Sequence, residues 1–362
     1  GIVDVDCSNC GSAPVVLLDP CQTQTCTWQT VGTEGLSPNA SYSPTISLNN
    51  GTPYVGFLDG ASSKISVMNY NGSSWNDVGS PSFTMGMSFY PFLTFYNNEP
   101  YLAYGDVDYS GGVLMKYNGS SWNNVGSVPF SSGGGLAFFN NSKVYGGNLY
   151  TCFMDGSDSN IYVSKYDGSS SSFVGGAVSP GASAHANIAV NDSGVIYVAF
   201  SDSSCLVSTQ QLSVKKYNGS NWEYVGDPCL SAGSINWPSI SVDGNTVYVS
   251  YNDQSDSFRM HVKKYSGTSW SDVGNPISVG QSDYSNIYFY NGNLYLAYTD
   301  ANFGYVVFVK KFNGSTWQNV GSSQASAGGG NQLKMTMSDG IIYIAYSDYS
   351  YGSKITVRKF AP

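Results

Sequence analysis

Charge is what this 362-residue chain has least of. Asp, Glu, Lys and Arg together make up 11% of it, less than half the usual share. Only 15 residues are basic, against 24 acidic ones, for a net charge of −9. That balance speaks against a nucleic-acid partner, which needs clustered Lys and Arg for phosphate. There are two histidines, His185 and His261, and two arginines, Arg259 and Arg358. No Ser-His-Asp order, metal-binding His pair, phosphate loop or zinc-protease helix appears. No apolar run approaches the roughly 18 residues of a membrane-spanning helix. No sustained helical period occurs either. The missing leader peptide fits a processed, exported chain.

Ser, Asn, Tyr and Gly take the place of charge, with 29 Tyr and 42 Gly, while apolar residues remain at 41%. This is enough to build a core, and it is unlike a disordered chain. A surface of neutral hydrogen-bonding groups suits a secreted or cell-surface protein.

The chain repeats itself. Lys116-Tyr117-Asn118-Gly119-Ser120-Ser121-Trp122-Asn123-Asn124-Val125-Gly126 recurs over 69–79, 216–226, 264–274 and 311–321. A degraded copy over 165–175 has Ser171 in place of Trp. The Trp position falls at Trp28, Trp75, Trp122, Ser171, Trp222, Trp270 and Trp317. Between these lies a second signature, as in Tyr101-Leu102-Ala103-Tyr104-Gly105-Asp106, which opens on Tyr and closes on Asp59, Asp106, Asp155, Asp202, Asp253, Asp300 and Asp348. The small third residue lets neighbouring units approach closely. The Asp ring reads as structural, each carboxylate capping the loop that follows it. Seven anions converging on one metal would be costly, so no metal site is expected.

Each unit reads as four short strands with turns between them. Pro238–Val242, Tyr248–Tyr251, Met260–Tyr265 and Trp270–Val273 form one such set. Asn-Gly in the motif suits a tight hairpin in which both central residues take positive φ. Two half-repeats remain at opposite ends: Cys26–Gly32 carries only the second half of the motif, and Arg358-Lys359-Phe360 only the first. Together they make one unit. The expectation is an all-β, seven-bladed β-propeller over 26–362, closed by a strand near 27–31 that completes the C-terminal blade.

Residues 1–25 stand outside the repeats as a cysteine-containing arm, with Cys7, Cys10 and Cys21 in it and Cys26 just beyond. Disulfides suit these four better than zinc, since glycine-bearing knuckles and a nearby His are missing. The arm is either stapled to its own domain or donates the strand-like Val15–Leu18 to another copy, building polymers. Cys205 and Cys229 fall in neighbouring loops of one blade and are expected to pair. Cys152, at the small third position, reads as a buried free thiol. Asn71, Asn118, Asn218 and Asn313 are glycosylation sequons that coincide with the hairpin turn.

In a four-stranded blade, the second-to-third and fourth-to-first loops emerge on one face. Asp108, Tyr109, Trp237, Phe303, Tyr305, Tyr349 and Tyr351 are the candidate binding residues there. Aromatic planes stack on sugar rings and small polar groups read hydroxyls, so glycans suit this face. The same residues also make adaptable protein-binding surfaces. His185 reads as a loop histidine, and no carboxyl is marked as a raised-pKa acid, so catalysis is not expected. The reading is an extracellular, non-catalytic adhesion or structural module without a cofactor, with glycans or surface proteins as partners. The alternatives are a lectin and, behind it, a glycan hydrolase.

The paired signatures, Tyr248 to Asp253 followed by Lys264 to Gly274, resemble repeats of large secreted prokaryotic surface proteins over about 26–360. That resemblance implies extracellular adhesive or scaffold propellers. The aromatic-Asn-Gly-x-x-Trp hairpin is similar, more loosely, to propeller lectins of the tachylectin and fucose-lectin kind. The Gly-x-Ser/Thr-Trp core also resembles the sialidase Asp-box, but Tyr70, Tyr117 and Phe312 stand at the box's Asp position, and an arginine triad cannot be drawn from two arginines.

Overall fold

The computed structural model describes residues 27–361 apart from 132–133, 206–208, 275 and 322–323. These form seven four-stranded antiparallel sheets, the blades of a seven-bladed propeller. Blade one runs Ser41–Asn49, Thr52–Asp59, Ile65–Tyr70 and Trp75–Asp77, from the innermost strand outwards. The innermost strands of blades two to seven are Ser88–Tyr96, Ala137–Tyr145, Ser183–Val190, Ile235–Asp243, Ser282–Tyr290 and Gly330–Ser338. The outer strand of blade seven is Gln29–Thr30, paired with Arg358 and Lys359. The first and last strands of the ring thus share one sheet, which ties the two ends of the propeller together. The four cysteines at 7, 10, 21 and 26, and the arm proposed for self-association, lie outside the described residues.

The core is divided between blades. Val55, Phe57, Ala345, Ile355 and Val357 pack together between blades one and seven, and comparable clusters fill the other interfaces. The repeated Trp adds a polar lock to this packing. Its indole N–H donates to the backbone carbonyl of the motif Val in the preceding blade: Trp75 to Val31 (2.8 Å), Trp122 to Val78 (2.7 Å), Trp222 to Val174 (2.9 Å), Trp270 to Val225 (2.6 Å), Trp317 to Val273 (2.8 Å) and Trp28 to Val320 (3.0 Å). The Gly after each Val has positive φ, and Gly32, Gly79, Gly175, Gly226 and Gly274 lie against the Trp ring that reaches back to them. A Cβ on Gly79, for instance, would sit 3.1 Å from Trp122. At Ser171 the lock is missing, and its hydroxyl faces Gly126 instead.

The hairpin turn differs from expectation. Gly72, Gly119, Gly219 and Gly314 have φ between +96° and +100°, but the Asn before each does not join them. Instead the Asn carboxamide oxygen accepts two backbone N–H groups, as Asn118 does from Ser120 (3.0 Å) and Ser121 (2.9 Å). The Asn serves as a side-chain cap, so the turn needs only one residue in the left-handed region.

Candidate functional site

Each innermost strand is broken near its start by a bulge. The pairing with the second strand skips two residues in every blade, between Tyr42 and Thr45 in blade one and at the equivalent place in the others. The first skipped residue has a left-handed backbone in all seven: Ser43, Tyr90, Phe139, His185, Trp237, Tyr284 and Gln332, with φ from +47° to +58°. Positive φ is uncommon outside glycine and costs of order 1–3 kcal/mol where it is strained. Seven such residues at one structural position make a built feature. The bulge re-aims each side chain into the mouth of the axial channel.

The bulge residues of blades two to six are all aromatic, and they form a continuous cluster. Ring centroids are separated by 4.6 Å for Tyr90–Phe139, 4.5 Å for Phe139–His185, 4.3 Å for His185–Trp237 and 4.8 Å for Trp237–Tyr284. They line a cavity of about 670 Å³, including its open mouth, together with Asn140, Asn141, Asn187, Asn286 and Lys334. Gln332 closes the ring on Ser43, whose backbone N–H it accepts.

At neutral pH this aromatic wall is uncharged. Burial lowers the pKa of His185 to about 4 and raises that of Tyr284 to about 12, so imidazole and phenol stay neutral. Buried polar capacity also remains here: Asn140 Oδ1, Asn141 Oδ1 and His185 Nδ1 have no protein partner. Among the described lining residues there is no Asp or Glu. Asp283, next to Tyr284 in sequence, does have its carboxyl pKa raised by burial, so one carboxyl beside the mouth is marked after all. Among the described residues no three metal-ligating side chains gather as a metal site.

The structure brings few of the sequence-chosen binding residues together. Trp237 is central. Tyr349 lies near the rim, within the electrostatic reach of Asp283 and Tyr305. Tyr109 is peripheral, its hydroxyl accepting from Asn124 of its own outer strand (2.9 Å). Asp108 sits beside Gly86 with its backbone N–H donating to Asp106 (2.9 Å), Phe303 packs edge-on against Phe308, and Tyr351 donates to Glu34 on the connection from blade seven to blade one.

His185 is corrected from loop to strand, and the physical reason is the bulge, which interrupts the alternation by which a strand start is recognised. The aromatic column was nonetheless present in the sequence. Its members lie eleven residues before the Tyr that opens the second signature, twelve in the His185 blade.

The seven Asp are buried at the ends of their strands. Each accepts the backbone N–H two residues on, as in Asn302 to Asp300 (3.0 Å) and Ser350 to Asp348 (3.0 Å). Asp300 also accepts from Val279 (2.9 Å) and Gly280 (3.1 Å), tying the loop after its strand to the loop entering the blade. Cys205 and Cys229 form a disulfide, and Cys152 is a buried free thiol. Both arginines are committed at the surface or the seam, Arg259 to Asp256 and Arg358 to the carbonyls of Ala325 and Trp28.

No family model and no curated protein matches the sequence. Among solved structures the chain is similar to an ulvan lyase of a polysaccharide lyase family, at 12% identity and a TM-score of 0.60, over 91% of this chain and 94% of that one. It is similar to an α-L-arabinanase from Penicillium chrysogenum at 12% identity and a TM-score of 0.51, over 92% and 97%. It also resembles the fucose-specific lectin of Aleuria aurantia at 13% identity and a TM-score of 0.49, over 78% and 95%. The likeness to the two enzymes is one of fold. Enzymes and lectins both occur among these propellers, and among the described residues no helix is long and apolar enough to cross a membrane.

Proposed function

We propose that the protein is an extracellular, non-catalytic glycan-binding module whose site is the aromatic mouth of the axial channel. The observation that carries this reading is the ring of seven left-handed bulges, five of them presenting an aromatic side chain to one cavity. Flat apolar faces stack on the C–H faces of pyranose rings, and the Asn carboxamides and His185 Nδ1 offer directional bonds to hydroxyls. Adhesion follows if the glycan belongs to a surface. The disulfide and the charge-poor exterior suit an oxidising, extracellular setting. A glycosidase ordinarily needs two carboxyl groups flanking the bond, and Asp283 has no such companion among the described lining residues.

The test is a glycan array followed by titration calorimetry on the best ligand, with Trp237→Ala alongside. Trp237→Ala should weaken binding by about tenfold or more, about 1.4 kcal/mol, while keeping the native circular dichroism. Unchanged affinity in the folded variant, or a folded wild type that binds nothing on the array, would overturn the reading.

A further inference from the structure

Below the aromatic mouth the channel continues into a second, solvent-open cavity, and its only charges among the described residues are two lysines, Lys143 and Lys334. The other channel-facing side chains at the level of Lys334 are neutral: Thr45, Phe92, Asn141, Asn187, Ser239 and Asn286. Neither cavity has a carboxylate among its described lining residues. On the outer strands some lysines have a carboxylate within reach, as Lys116 has Glu99 (2.7 Å) and Lys263 has Asp272 (2.8 Å). Lys143 reaches only the face of Tyr288, 5.8 Å from its centroid. Lys334 has no ion pair among the described residues.

Two like charges in a narrow, protein-walled channel repel each other and lose hydration. Burial, and then repulsion by Lys143, lowers the pKa of Lys334 to about 8. The ammonium is therefore still mostly charged at neutral pH, enclosed but reached by solvent through the channel. Lys334 also lines the aromatic cavity above. A ligand stacked in the mouth would therefore present a substituent directly to it.

We infer that the Lys143–Lys334 pair is an anion subsite at the floor of the aromatic pocket, and that the glycan taken there is acidic, carrying a carboxylate or a sulfate. This rests on the glycan-binding reading above for the ligand class, but the anion subsite stands on the channel lysines alone. An anion completes the pair as no protein group does, and charge-assisted bonds to it are short and strong. The aromatic ring supplies stacking, and the lysines supply the choice between acidic and neutral sugars.

The full chain would be titrated with an oligogalacturonate, its carboxyl-reduced neutral counterpart, a sulfated oligogalactose and inorganic sulfate. Wild type is expected to prefer a charged oligosaccharide over the neutral one by tenfold or more, with affinity falling as salt rises. Lys334→Met and Lys143→Met, whose apolar chains fit the same channel, should each remove most of that preference, and Lys143→Met, which lies outside the aromatic cavity, should do so while sparing the neutral sugar. Whichever charged sugar binds tighter identifies the anion as carboxylate or sulfate. Independently, the Lys334 Cε resonance should shift on adding inorganic sulfate, in Trp237→Ala as in wild type. Neutral and charged sugars binding equally, or a preference that survives both Met variants, would overturn the inference while leaving glycan binding intact. Sulfate shifting Lys334 when no sugar binds would uphold the anion subsite and overturn the glycan reading. A Lys334 resonance indifferent to sulfate and to every charged sugar would overturn the subsite.

Discussion

His185 stands between Phe139 and Trp237 as a third ring of the stack, and the physics of its site follows from the company it keeps. A histidine in water protonates near pH 6.5; surrounded by apolar rings it resists charge, with a pKa near 4. Its folded pKa is thus depressed below its unfolded one. The native state holds the neutral form, and the associated stability is fully present above about pH 6.5 and lost as pH falls towards 4. The difference corresponds to about 3 kcal/mol when complete. Urea midpoints measured from pH 7.5 to 4 should decline for wild type over that window. His185→Phe, which keeps the stack and removes the titration, should flatten the decline by an amount of that order. A parallel decline in both proteins would show that carboxylates, not His185, govern the acid limb.

At the scale of one blade, the Trp-Val-Gly lock explains why the motif recurs. The hairpin turn needs only Asn and Gly, while Trp is there to reach the carbonyl of the preceding blade. The lock that Ser171 fails to make is an engineering opening. Ser171→Trp should donate to Val125 as its counterparts do, adding about 1 kcal/mol from the hydrogen bond alone, read as a raised urea midpoint. The reverse change, Trp122→Ser, removes a buried indole and its bond, and should cost about 3 kcal/mol or more. If Ser171→Trp lowers the midpoint, blade three is packed too tightly against its predecessor to accept the ring. The lock would then hold at its six existing places only.

At the scale of the whole ring, closure is the decisive event. Six blades are built from strands consecutive in the chain; blade seven joins strands more than 300 residues apart. Arg358 holds that seam, donating to the carbonyls of Trp28 (2.8 Å) and Ala325 (2.9 Å). Hydrogen bonds from a charged group are worth about 1.5–3 kcal/mol, so Arg358→Ala should lose about 3 kcal/mol. A ring whose blades depend on their neighbours should still unfold in one transition. A second transition appearing in Arg358→Ala, monitored by tryptophan fluorescence and far-UV dichroism, would show that the blades are separable once the seam is weakened.

The sequence by itself determined the architecture. The repeat length, the turn residues and the two severed halves of one motif are local patterns, and a ring of antiparallel blades is the arrangement in which they agree. The Cys205–Cys229 pair was legible for the same reason, since two loops of one blade must lie side by side. Only the tertiary structure decided where the site is. Tyr90, Phe139, His185, Trp237 and Tyr284 are about fifty residues apart along the chain, and each looks like an ordinary strand or loop aromatic until the ring brings the five together. Backbone conformation completes the reason. A bulge turns a side chain from the blade interface to the axis, and no alternation of residue types announces that turn. Lys143 and Lys334 were hidden in the same way: in sequence they are two more basic residues, and only the channel makes them a pair.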